Sequence, residues 1–205
     1  MTLEKSEEVY HQVLKNIESI SKAIHWYSSE GGGRTLKRVL TLPQRQRLER
    51  LTELADKLVS DVLPHTACIN GCSHCCYQAV AISTEEAKKI TEYTGYSHRK
   101  AEMEVTNVNI QRFKGVPCPF LHEGRCGVFE VRPLACRLQF NISDDPSLCD
   151  VVSTPGENVP TINFFTYWGT VVASLETSNF NDIRVFFPGT YEFGVTSAME
   201  SNHCN

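Results

Sequence analysis

Residues 68–76 read CINGCSHCC and put four cysteines into nine positions. Thiols packed that densely are held by disulfides, by zinc or by an iron–sulfur cluster, and each imposes its own chain path. Cys75 and Cys76 are neighbours, and a bridge between them would strain the peptide that joins them. Nine cysteines is also an odd number for full pairing; eight lie between Cys68 and Cys149, and Cys204 stands alone near the end. The opening segment MTLEKSEEVYHQVLK is acidic and amphipathic, unlike a secretory signal. No apolar run reaches the roughly 18 residues of a membrane span. A reducing, cytoplasmic compartment is therefore expected, and there clustered cysteines point to metal rather than to disulfides.

A chain of 205 residues, 41% hydrophobic and 21% charged, suffices for one domain with a core, or for a small domain with helical additions. The net charge of −4 gives no global attraction to nucleic acid. The basic run Arg34–Arg50 has no interleaved aromatic residues for base stacking and reads as the solvated face of helix.

Val9, Val13, Ile17, Ile20 and Ile24 recur at steps of three and four and predict an amphipathic helix of about six turns. Gly31-Gly32-Gly33 then marks a flexible joint. A second helix is expected from Thr41-Leu42-Pro43, with Thr41 as cap, a stripe of Leu48, Leu51, Leu54, Leu58 and Val62, and Pro64 as its stop. Ser83-Thr84-Glu85-Glu86 is a capping box that opens a third helix, closed by Gly95. A fourth, more polar helix is expected from Ser97 to about Lys114. The stretch CPFLHEGRCGVFE (118–130) predicts a hairpin turning at Glu123-Gly124. Residues 153–160 read as a loop and 163–176 as a buried helix. The aromatic tail NDIRVFFPGTYEFG should pack back on the body. The fold class expected is mainly α, with a small irregular cysteine-rich metal-binding centre and one short β-hairpin. It divides into a helical arm (1–64), a cysteine-cluster domain (65–150) and a C-terminal helix with an aromatic tail (151–205).

Thiolates favour borderline and soft metals, and a short loop aims several of them at one centre without long closures. The two-residue spacing of Cys72 and Cys75 suits zinc and iron–sulfur ligation equally. Eight thiols exceed what one zinc site needs, so either two centres exist or some thiols are catalytic or merely buried. His65, His74 and His122 could substitute for a thiolate. Arg132 and Arg137 flank Cys136; either could donate to a cluster sulfur or make a structural ion pair. The C-x3-C-x2-C spacing also occurs in radical S-adenosylmethionine enzymes, but the alternating strands and helices of those enzymes do not follow here.

CINGCSHCC, the S-x-x-E helix start and CPFLHEGRCGVFEVRPLACR, taken in that order, resemble the bacterial CxxCxxCC cysteine-cluster family, also called YkgJ-like, a zinc- or iron-chelating domain. The shared pattern covers roughly residues 65–150. It departs from the usual C-x2-C opening, since Cys68 and Cys72 are separated by three residues. The resemblance implies metal ligands at Cys68, Cys72, Cys75, Cys76, Cys118, Cys126 and Cys136, with Cys149 as an eighth. Some members are linked to flagellin lysine methylation, although this chain carries no S-adenosylmethionine motif.

Two functions follow as expectations. One is an iron–sulfur protein, with a four-iron, four-sulfur cluster in a redox or catalytic role. The other is a zinc-stapled interaction module without catalysis, whose helical arm and aromatic tail would meet a protein partner. No serine–histidine–acid set, phosphate loop or carboxylate pair supports chemistry away from the metal, and neither a membrane nor a nucleic acid is expected as partner.

Overall fold

A computed structural model describes residues 3–27, 29–69, 71–100, 111–153, 159–168 and 180–189. The predicted stripe of Val9 to Ile24 forms helix α1 (Leu3–Ala23), which turns at His25–Tyr27 into α2 (Ser29–Leu40). The glycine triplet is therefore no joint; it lies in the first turns of α2, and the α-helical run is interrupted before it, at His25–Tyr27. Each glycine costs a helix about 1 kcal/mol against alanine. Burial of Leu36 and Val39 on the next turns opposes that cost.

Helix α3 (Gln44–Val62) starts after Pro43 rather than at Thr41. The ring of Pro43 keeps Leu42 out of the helical region, and the Thr41 hydroxyl donates back to the Arg38 carbonyl (2.7 Å), closing α2 instead. The expected stripe is the core: Leu51, Leu58 and Val62 are fully buried, with Leu48 and Leu54 nearly so. A 3₁₀ turn at Leu63–His65 that contains Pro64 ends the helix.

Short antiparallel pairs make up the rest. Strand β1 (Ala81–Ile82) pairs with β6 (Asn181–Asp182), β2 (Leu121–His122) with β3 (Arg125–Cys126), and β4 (Gln139–Asn141) with β5 (Thr161–Asn163). Helix α4 (Thr84–Thr94) carries the full capping box and ends on Gly95 at φ 76°. Glu123 and Gly124, at φ 47° and 75°, turn the β2–β3 hairpin where expected. Single-turn helices α5 (Leu134–Arg137), α6 (Phe164–Tyr167) and α7 (Ile183–Phe186) complete the described elements. The segment expected as a helix from 163 thus begins as β5 and then α6, and its remainder, 169–176, lies outside the described residues. Of the fourth expected helix, 101–110 lie outside them too; Ser97–Lys100 is not helical, and 112–115 form turns.

Two cores result. The first joins α1, α2 and α3 to α5, β4 and α6, around Leu51, Leu58, Leu138 and Trp168. The second gathers β1, α4, the hairpin and α7 around Ile82, Ile90, Phe120 and Phe186. The tail's Asn181–Phe187 does pack on the body, with Ile183, Phe186 and Phe187 buried. The fold is mainly α with a cysteine-rich, loop-built centre, as the sequence predicts. Among the described residues, no helix is long and apolar enough to cross a membrane.

Candidate metal centre

The cysteines lie along the seam between the two cores. Cys68 packs against the first, and Cys118, Cys126 and Cys136 against the second. All eight from Cys68 to Cys149 are free thiols, and Cys204 falls outside the described residues.

Each loop is fixed by backbone bonds. The Ala67 amide donates to the Asn141 carbonyl (3.0 Å), and the Asn141 amide donates to the Cys68 sulfur (3.3 Å), so β4 holds the start of the motif. A 3₁₀ turn over His74–Tyr77 then carries Cys75 at the surface and Cys76 buried beneath it. The Cys118 amide donates to the Cys76 carbonyl (2.7 Å), which brings the CPFL loop alongside. Pro133 precedes α5, whose first turn presents Cys136. The amide of Leu134 donates to Glu86 (2.8 Å), tying α5 to the capping box of α4.

The thiols divide by neighbour. Cys76 donates between Cys75 and Cys126, and Cys118 and Cys136 complete that set electrostatically. Cys68, Cys72 and Cys149 form a second set beside Asn141. Cys75 belongs to both: its charge acts on Cys68, Cys76, Cys126, Cys136 and Cys149.

Burial pushes most of these thiols up, Cys118 to about 12 and Cys149 to about 11, with Cys136 and Cys68 also raised. Cys75 goes the other way. The Cys76 thiol donates to it and holds it down at about 7, helped by the Arg132 guanidinium. The same donor lowers Cys126 and leaves Cys76 itself raised. Amides of Phe120 and Val128 reach the sulfurs of Cys118 and Cys126, a hydrogen bond that favours thiolate over thiol.

The two arginines flanking Cys136 divide the roles that the sequence left open. Arg137 is structural: it donates to the Arg132 carbonyl (2.8 Å) and the Glu130 carbonyl (2.6 Å) and pairs with Asp56 on α3. Arg132 stacks on Phe129 (4.1 Å to the ring centre), and its buried Nε has no hydrogen-bond partner. Its charge acts on Cys75 and Cys126. Of the histidines weighed as substitutes, His122 stands on β2 with Glu123 at 3.9 Å, His65 ends the turn after α3, and His74 opens the 3₁₀ turn of the motif.

Two residues escaped the sequence reading. Asp182 and Arg184, both buried, reach the cysteine loops from the tail. An acidic and a basic residue two apart among apolar neighbours was the available signal, but nothing local indicated their partners.

Among the described residues, no three His, Cys, Asp or Glu side chains already converge as a preformed ion site. The donor set nonetheless has the right chemistry for a thiophilic metal: clustered sulfurs, amides directed at them, and the Arg132 charge acting on Cys75 and Cys126.

Residues 67–152 match the CxxCxxCC family model, described as a putative zinc- or iron-chelating domain. Its bounds take in all eight clustered cysteines. No curated protein and no solved structure matches the chain.

Proposed function

We propose that the eight thiols hold an iron–sulfur centre with a redox or catalytic role. The observation that carries this reading is the position of Cys75, in electrostatic reach of members of both thiol sets. A polynuclear cluster draws ligands from such a continuous field, whereas separate mononuclear sites need closed quartets. Cys76, Cys118, Cys126 and Cys136 would hold metal on the side of the second core. Cys68, Cys72 and Cys149 would do so beside β4, with Cys75 between them.

When bound, the cluster would supply one-electron transfer or a Lewis-acidic iron. The chain's own residues then set its electrostatics. The Arg132 guanidinium, whose charge acts on Cys75 and Cys126, would oppose the anionic charge of ligated thiolates. The amides at Cys68, Cys118 and Cys126 do the same from the backbone.

The thiol count favours a second reading. Eight thiolates divide into two four-thiolate zinc sites, which would staple the two cores together without catalysis. Elemental analysis of anaerobically purified protein separates the two. Iron with comparable acid-labile sulfide, and a brown colour, are expected; a colourless protein carrying zinc would overturn the cluster.

A further inference from the structure

We propose that Arg184, oriented by Asp182, positions the metal site from outside the cysteine-cluster domain, by clamping the two loops that carry Cys76 and Cys118. The inference rests on those two cysteines being ligands.

Arg184 donates to four backbone carbonyls. Its Nη2 reaches Cys76 (3.1 Å), Gln78 (3.0 Å) and Val116 (2.6 Å), and its Nε reaches Pro117 (3.2 Å). Two of these carbonyls lie on each loop, so a single guanidinium fixes the distance between the loops. Its Nη1 is held by both carboxylate oxygens of Asp182, at 2.9 and 3.1 Å. Asp182 is fully buried and also accepts from the Val80 amide (2.8 Å) and the Arg184 amide (2.9 Å). The carboxylate is anchored in turn by the β1–β6 pairing, in which Ala81 faces Asp182.

The chemistry calls for arginine. A planar fork with five donors can serve two loops and a carboxylate at once, whereas the three-donor ammonium of lysine acts as a point charge. Tail and family segment are far apart in sequence, since the family match ends at residue 152. The two loops also meet directly, through the Cys118–Cys76 bond and the Gly115–Tyr77 bond (2.8 Å). The guanidinium adds a bridge of four bonds to those two, which makes Asn181–Arg184 a working part of the centre.

The test compares wild type with Arg184→Lys and Asp182→Asn, each purified as the full chain under anaerobic conditions. Two quantities are read: metal per chain, and the iodoacetamide alkylation rate of each cysteine after chelation, mapped by peptide mass. Both variants are expected to retain the wild-type helical signal and to lose metal. In both, Cys76 and Cys118 should alkylate about tenfold faster or more while Cys68 and Cys149 do not change, because a local opening exposes only what the clamp held. Unchanged metal and an unchanged alkylation pattern would overturn the proposal. So would an equal acceleration at every cysteine, which would mark a general loss of structure. If wild type itself holds no metal, the metal reading fails, and the alkylation pattern still decides the role of Arg184.

Discussion

Neighbouring cysteines rarely do the same work, and Cys75 and Cys76 divide it by depth. Cys76 is buried and shares its single S–H between Cys75 and Cys126, whereas Cys75 stands at the surface between the two thiol sets. Replacing Cys75 with serine should therefore reduce metal in both sets, and Cys149→Ser should reduce it only beside β4. Metal per chain in the two variants reads this directly, and equal losses would refute the division. The cysteines proposed as ligands stand out in the sequence because cysteine spacing is a local signal. The roles of Arg132 and Arg137 were half legible: both stood beside Cys136, but only the fold shows that Arg137 reaches Asp56 and that Arg132 stacks on Phe129. The partners of Asp182 and Arg184 were not legible, since apart from each other they are backbone amides and carbonyls, which nearly every residue carries.

Among the elements, α4 shows a local motif recruited for a distant task. Ser83 and Glu86 close a reciprocal cap, which the sequence announces by its spacing. Glu86 also accepts the Leu134 amide (2.8 Å), so the same carboxylate orients the turn that bears Cys136. Ser83→Ala should cost about 1 kcal/mol, the usual worth of a cap. Glu86→Ala should cost more, about 2–3 kcal/mol, because it also strands a buried amide. Urea unfolding measures both, and equal costs would show that the Leu134 link contributes nothing. Helix boundaries were the least legible part of the chain. The glycine triplet and Thr41 carry strong local signals, and the packing of Leu36 and Val39 and the ring of Pro43 overruled them. The β4–β5 pairing was missed because three-residue strands have too few positions to show a period.

At the scale of the molecule, two cores meet across the cysteines, and they differ in their need for metal. The first is built mostly from α1, α2 and α3, which contain no cysteine. The second closes around loops that bear Cys118, Cys126 and Cys136. Removing metal with a strong chelator should lower the melting temperature and loosen the second core while most of the helical circular dichroism survives. Loss of the whole helical signal in one step would instead show that both cores depend on the centre. The mainly α class was legible from the stripes of α1 and α3, but the joining of the tail to the cysteine loops is a long-range contact that no local pattern encodes. We propose that the eight thiols chelate metal as one connected centre. That proposal is tested most directly by native mass spectrometry of the anaerobically purified chain, which weighs the intact protein with whatever it holds. A mass above that of the polypeptide by an iron–sulfur cluster, lost on denaturation, is expected. A native mass equal to the bare chain, with all eight thiols free, would contradict it.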